Sequence, residues 1–125
     1  MSHSELPTGE SVTTQTEQGL YVDPKALTNH LPALQYRDEA LYMEQVSIES
    51  IAKHYGTPCY VYSKQAILDV YQAYTDSFAS LDHQICYAVK ANSNLAVLSV
   101  LAQVGAGFDI VSRGELMRVV AAGAK

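Results

Sequence analysis

The stretch that decides the fold spans residues 85–103 and reads ICYAVKANSNLAVLSVLAQ. Its first part is apolar and β-prone and ends in a single charge at Lys90, which predicts a strand over 85–90. A polar turn, Asn92-Ser93-Asn94, comes next, and apolar residues then recur at helical spacing from Leu95 onward. The stretch therefore predicts a strand, a turn and a helix in direct succession.

The same order of elements is predicted on both sides of this stretch. Upstream, the β-prone run CYVY at 59–62 is followed by Ser63 and by apolar side chains at helical spacing. These apolar positions are Ile67, Val70, Tyr71, Tyr74 and Phe78, and the tyrosine stripe is interpreted as core packing rather than as part of a cofactor site. Downstream, a strand over 108–111 precedes a helix that begins after Ser112 and ends at Gly123.

Three strand–helix units in succession favour an α/β fold with a parallel sheet, because parallel strands are joined by crossover helices. Such a sheet needs further strands and helices over its faces, and a barrel of eight units takes about 250 residues. We therefore expect residues 57–125 to form the first, incomplete part of a TIM (β/α)8 barrel, with exposed strand edges and low stability in isolation. Since Lys125 follows the third predicted helix directly, the chain is expected to be cut short.

The N-terminal part carries weaker signals. Residues 1–20 are polar and without periodicity, which predicts a flexible arm. Residues 21–56 form a lead-in segment in which Pro24 and Pro32 interrupt regular structure and a strand is predicted over 41–46. A short amphipathic helix is predicted next, with Ser47 as N-cap, apolar positions at Ile48, Ile51, Ala52 and Tyr55, and a stop at Gly56 and Pro58.

Composition and charge narrow the classes of function. The formal net charge of −5 provides no basic surface, so neither nucleic acid nor an anionic membrane is an expected partner. Neither a signal peptide nor an apolar run long enough for a membrane span occurs, which predicts a cytoplasmic protein. Cys59 and Cys86 lie outside any CxxC pattern and are expected to be small core residues. The four histidines lack metal-ligand spacing, so no metal site is predicted.

Lys90 is the most informative position for chemistry, because it ends an apolar strand at the edge where α/β sheets and barrels place their active sites. Side-chain alternation predicts that it shares a face with Ala88 and Cys86, whose small side chains leave room for a ring. A lysine in such partly dry surroundings favours its neutral amine, which Schiff-base formation with an aldehyde cofactor requires. The alternative is a lysine that marks the strand end and reaches into solvent.

Two acidic residues are weaker candidates for the same site. Asp109 could lie close to Lys90 across adjacent parallel strands and tune its charge, or it could be an ordinary aspartate at the start of a strand. Glu115 fits a capping box with Ser112, and we favour the cap over a ligand contact. The polar turn after Lys90 is adequately explained as a cap of the following helix.

Three segments carry a resemblance to a known family. They are YGTPCYVYS at 55–63, CYAVKANSNLAVLSVLAQVGAGFDIVSRGEL at 86–116 and AAG at 121–123. They closely resemble the diaminopimelate decarboxylases, and the combination of YAVKAN, GFD and SxGEL is specific to the alanine-racemase-like fold group of pyridoxal-phosphate decarboxylases. The resemblance covers about residues 40–125.

This resemblance implies a two-domain enzyme, with a barrel that binds pyridoxal 5'-phosphate and a β-rich domain to which the strand at 41–46 would belong. It implies decarboxylation of the amino acid meso-2,6-diaminopimelate to L-lysine and CO2, the last step of bacterial lysine biosynthesis, by a homodimer of the full-length protein. Lys90 would be the catalytic residue that carries the cofactor. Asp109 and Glu115 match acidic positions of the family's cofactor neighbourhood.

Family features that this sequence lacks define the alternatives. The glycine-rich phosphate loop, the acid that pairs with the pyridine nitrogen and the cysteine motif that acts across the dimer do not occur before Lys125, so this piece alone is expected to be inactive. A related decarboxylase for ornithine, arginine or carboxynorspermidine would share the lysine strand and the barrel. A non-catalytic protein that binds pyridoxal phosphate is the alternative from another class.

Overall fold

The computed structural model describes residues 13–16, 19–22, 28 and 31–125. The chain divides into two compact units, residues 1–57 and residues 58–125. Most of the flexible arm predicted over 1–20 lies outside the described residues.

Two short strands occur in the N-terminal segment for which no regular structure was expected. Strand β1 (Thr13–Thr16) pairs antiparallel with β2 (Gly19–Val22), with Thr13 opposite Val22. The polar composition of this segment argued against strands, but its threonines are β-branched and favour extended backbone. Residues 13–16 and 19–22 are therefore strands, where a flexible arm was predicted over residues 1–20.

A three-stranded antiparallel sheet completes the strands of the first unit. Its strands are β3 (Leu34–Arg37), β4 (Ala40–Met43) and β5 (Val46–Ser47), in that order. The single strand predicted over 41–46 was wrong, because Glu44 has a φ of 55° and turns the chain between β4 and β5. Asp38 and Glu39, with φ of 47° and 65°, form the turn that returns β3 to β4.

Helix α1 (Ile48–Tyr55) forms where the sequence predicted it. The Ser47 hydroxyl accepts a hydrogen bond from the backbone N–H of Ser50 at 3.4 Å and so caps the first turn. The helix ends at Gly56, whose φ of 79° is a left-handed conformation that glycine adopts without a steric penalty. The predicted cap and stop are both confirmed.

The second unit opens without the strand predicted over 59–62, which is irregular here. A β-prone run becomes a strand only when another strand accepts its backbone hydrogen bonds, and none of the described strands pairs with it. Helix α2 (Lys64–Ser77) follows as predicted, with the Ser63 hydroxyl accepting from the N–H of Ala66 at 2.9 Å.

Within the described residues, no helix has the length and apolar character that crossing a membrane requires.

A parallel pair of strands, each followed by a helix, forms the centre of the second unit. Strand β6 (Cys86–Ala88) leads through a 3₁₀ turn, Val89–Ala91, to α3 (Leu95–Gln103), and β7 (Gly107–Asp109) leads to α4 (Arg113–Ala121). The register places Cys86 opposite Gly107 and Ala88 opposite Asp109. Two of the three predicted strand–helix units are thus present, and the sheet is parallel as expected.

The core of this unit is small. Val89, Leu98 and Val119 form a buried cluster, against which Tyr87, Phe108 and Ile110 pack from β6, β7 and the residue after β7. By contrast, Tyr74 is 56% exposed, so the interpretation of the tyrosine stripe as core packing fails at this position in the chain as described. Cys59 and Cys86 are free and exposed, which contradicts their predicted burial.

Candidate active site

Lys90 lies in the 3₁₀ turn directly after β6, and its side chain is exposed. The preceding residue, Val89, is fully buried. The sequence predicted Lys90 as the last residue of the strand itself, but the ladder ends at Ala88 and the helical turn breaks the alternation of side chains beyond it. Lys90 therefore sits at the carboxyl end of a parallel strand, as expected, but on a turn.

The partly dry surroundings predicted for Lys90 are not formed by the described residues. Lys90 is exposed, and Cys86, which was expected to share its face, is exposed as well. Within residues 31–125 the Lys90 ammonium has no carboxylate partner, since the ion pair found there joins Lys53 to Glu49. The amine is consequently accessible to a ligand in the chain as described.

The polar turn after Lys90 is tightly hydrogen-bonded. The Asn94 side chain accepts from the N–H of Ala96 at 2.9 Å and caps α3, while the Asn92 side chain accepts from the N–H of Asn94 at 2.9 Å. This confirms the expected capping role. Two further bonds were not predicted: the Tyr87 hydroxyl donates to the Asn92 carbonyl at 3.2 Å, and Arg118 Nη1 donates to the Ser93 carbonyl at 3.4 Å.

Asp109 ends β7 at the same edge of the sheet as Lys90. It lies opposite Ala88 in the parallel ladder, and its side chain is exposed. It forms no ion pair with Lys90 within the described residues. The sheet thus brings the two residues to one edge without joining them directly. The sequence had placed Asp109 at the start of a strand over 108–111, whereas it is the last residue of β7.

Glu115 is a helix cap. Its Oε2 accepts from the backbone N–H of Val111 at 2.7 Å and from that of Ser112 at 3.2 Å, and the Ser112 hydroxyl accepts from the N–H of Glu115 at 3.2 Å. This is the reciprocal capping box at the start of α4 that the Ser-x-x-Glu spacing predicted. The Glu115 carboxylate is therefore engaged in hydrogen bonds to the backbone between β7 and α4.

Sequence reasoning missed the parts that Tyr87 and Arg118 play around this site. The Tyr87 side chain packs against the buried cluster of Val89, Leu98 and Val119. Its hydroxyl contact could not be read from the sequence, because it depends on the path of the turn after Lys90. Within residues 31–125, no group of histidine, cysteine and acidic side chains could hold a metal ion.

Comparison with known proteins independently supports the family resemblance of the sequence motifs. A family model described as pyridoxal-dependent decarboxylase, pyridoxal binding domain, matches residues 64–125. The diaminopimelate decarboxylase of Pseudomonas aeruginosa is 60% identical over 88 residues, which are 70% of this chain and 21% of that protein. The chain belongs to the pyridoxal-dependent decarboxylases. The resemblance to diaminopimelate decarboxylases that the motifs indicated is thereby confirmed.

Solved structures agree with this family assignment. A crystal structure of a protein from Aquifex aeolicus superimposes with a TM-score of 0.73 at 46% identity, covering 78% of this chain and 24% of that one. A diaminopimelate decarboxylase from M. jannaschii, solved in complex with L-lysine, superimposes with a TM-score of 0.69 at 31% identity, covering 74% of this chain and 23% of that one. The chain spans about a fifth of the length of the curated relatives it matches.

Proposed function

We propose that the full-length protein containing this chain decarboxylates meso-2,6-diaminopimelate to L-lysine and CO2, with pyridoxal phosphate carried on Lys90. The observation that carries the proposal is an exposed amine at the carboxyl end of parallel strand β6, without an ion-pair partner among residues 31–125, in a chain of this decarboxylase family. Strand carboxyl ends are where barrels of this kind place their chemistry. The proposed substrate follows the names of the relatives.

The residues described here fit part of what the cofactor needs. The accessible Lys90 amine suits covalent capture of an aldehyde. When bound, pyridoxal phosphate supplies an electron sink for the electron pair released as the substrate loses its carboxylate. Lys90 would hold the group through its side-chain amine.

The proposal assigns different roles to Asp109 and Glu115. We propose that the exposed Asp109 carboxylate contributes negative charge at the edge of the sheet where Lys90 lies. For Glu115, the hydrogen bonds to Val111 and Ser112 support a structural contribution, which shapes the backbone between β7 and α4. Any cofactor contact of Glu115 would have to coexist with that cap.

We further propose that residues 58–125 are part of a TIM (β/α)8 barrel and that the strand segment at 41–46 belongs to a β-rich domain of the full-length protein. The parallel order of β6 and β7, each followed by a helix, supports the first assignment. The antiparallel pairing of β3, β4 and β5 in a separate compact unit supports the second. A homodimer and a cytoplasmic location are proposed for the full-length protein on the strength of the family resemblance.

The experiment uses the full-length protein loaded with pyridoxal phosphate. Release of CO2 is measured with diaminopimelate, ornithine, arginine and carboxynorspermidine as separate substrates. We expect turnover with diaminopimelate and L-lysine as product. Preferred turnover of one of the other amines would establish the related decarboxylase instead, and cofactor binding with no turnover of any of them would establish the non-catalytic alternative.

The lysine itself is tested by borohydride reduction followed by mass spectrometry of the peptides. We expect the reduced cofactor on the peptide that contains Lys90, and its loss in Lys90→Ala. Lys64→Ala is the matched control, because Lys64 is also an exposed lysine of the second unit but lies at the start of α2. Labelling that persists in Lys90→Ala would rule out the proposed attachment site.

A further inference from the structure

The turn that contains Lys90 is closed by a hydrogen bond between the residues on either side of it. Tyr87 in β6 donates its hydroxyl hydrogen to the carbonyl of Asn92 at 3.2 Å, across a separation of five residues. Lys90 lies within this loop, in the 3₁₀ turn Val89–Ala91. The hydroxyl of Tyr87 therefore joins the strand before the lysine to the backbone after it.

Both ends of this bond are anchored. The Tyr87 side chain packs against the buried cluster of Val89, Leu98 and Val119. On the other side, the Asn92 side chain accepts from the N–H of Asn94 at 2.9 Å, and the Asn94 side chain caps α3. The hydroxyl thus links the core to Asn92, whose side chain is itself hydrogen-bonded to the backbone immediately before α3.

A second bond reaches the same segment from α4. Arg118 Nη1 donates to the carbonyl of Ser93 at 3.4 Å, a long contact compared with the Tyr87 bond. Val89, immediately before the lysine, is fully buried. The backbone is consequently held on both sides of Lys90, while the Lys90 side chain stays exposed.

We infer that Tyr87 is a positioning residue for Lys90: its hydroxyl fixes the turn from which the lysine reaches the cofactor. The inference rests on the proposed function, in which Lys90 carries pyridoxal phosphate. The rate at which a lysine amine reacts depends steeply on the position in which the backbone holds it, because the side chain is long and flexible. A single hydrogen bond that closes the turn limits the positions this amine can take.

The test compares Tyr87→Phe with Tyr71→Phe in the full-length protein. Tyr87→Phe removes the hydroxyl and keeps the ring in the core. Tyr71 is a partly buried tyrosine of α2 whose hydroxyl donates to no described residue, so Tyr71→Phe is the matched control. In the cofactor-free proteins, we expect amide hydrogen exchange at Asn94 and Ala96 to rise about three- to tenfold in Tyr87→Phe and to stay unchanged in Tyr71→Phe.

The second measurement follows cofactor capture after mixing the cofactor-free protein with pyridoxal phosphate, by visible absorbance. We expect capture to slow about three- to tenfold in Tyr87→Phe, with kcat lowered and KM little changed. A tyrosine that only stabilised the fold would lower the unfolding temperature and leave the capture rate of the folded protein unchanged. That result would overturn the inference.

Borohydride reduction of the unaltered protein separates the two possible failures. If the cofactor is found on Lys90 but Tyr87→Phe matches Tyr71→Phe in both exchange and capture, the positioning inference fails and the proposed function stands. If the cofactor is found on another lysine, the proposed function fails and the inference fails with it.

Discussion

Cys86 and Gly107 lie opposite each other across the parallel strands β6 and β7, and the Cys86 Sγ is 2.7 Å from the point where a Cβ at position 107 would lie. The side-chain amide of Gln84 approaches the same point to 3.1 Å. A side chain at position 107 would therefore require the Cys86 sulfur to shift. This contact lies beside the strand that leads to Lys90.

We expect Gly107→Ala to destabilise the second unit by about 1–3 kcal/mol, because the new methyl group overlaps the Cys86 sulfur and forces a shift. Removing the sulfur first should relieve most of that cost, so Gly107→Ala in a Cys86→Ala background should be less damaging. Thermal unfolding of the four full-length proteins measures the coupling between the two sites. Equal losses in the two backgrounds would show that Cys86 is not the obstacle.

The capping box of α4 allows the structural role of Glu115 to be separated from a role at the cofactor. Ser112→Ala and Glu115→Ala each remove cap hydrogen bonds and should cost about 0.5–2 kcal/mol of stability. Glu115→Gln keeps an oxygen that can accept from the Val111 and Ser112 N–H groups, so it should preserve most of that stability. Chemical denaturation of the full-length protein measures all three variants.

The affinity of the Glu115→Gln protein for pyridoxal phosphate provides the complementary measurement. We expect this affinity to equal that of the unaltered protein, since the Glu115 carboxylate accepts hydrogen bonds from the backbone N–H groups of Val111 and Ser112. A variant with unchanged stability and strongly weakened cofactor binding would instead show that the negative charge of Glu115 acts at the cofactor.

Burial raises the pKa of the Tyr87 phenol above its ordinary value. Because the folded pKa exceeds the unfolded one, the stability that Tyr87 contributes is fully present below the unfolded pKa near 10 and is lost as the pH rises through the folded pKa. The difference in melting temperature between the unaltered protein and Tyr87→Phe should therefore shrink from about pH 8 to about pH 11. A difference that stays constant over this range would contradict the assigned burial effect.

The 125-residue chain by itself should fold poorly and should not decarboxylate diaminopimelate. Among the described residues, the buried apolar side chains are Val89, Leu98, Leu101 and Val119. Large apolar side chains such as Val111, Met117 and Val120 are more than half exposed, so little apolar surface offsets the loss of conformational entropy. A cooperative thermal transition of a monomer, followed by circular dichroism, would contradict this expectation, as would measurable CO2 release.

Local signals in the sequence predicted the helices and their caps well. Ser47, Ser63, Asn94 and Ser112 each cap the helix that follows, and Gly56 ends α1. Caps and stops depend on residues within one turn of each other, so they can be read along the chain. The strands were less predictable: the run at 59–62 pairs with none of the described strands, and the strand predicted over 41–46 is two strands.

The sequence by itself determined the family, the helix caps and the choice of Lys90, because motifs, cap spacing and a lysine at the end of an apolar strand are local in the chain. Only the tertiary structure decided that Lys90 lies on a 3₁₀ turn, that Asp109 faces Ala88 and that the Tyr87 hydroxyl closes the turn. These relationships join residues through the parallel register and the path of the backbone. They arise when strands pair and side chains pack, which no local pattern specifies.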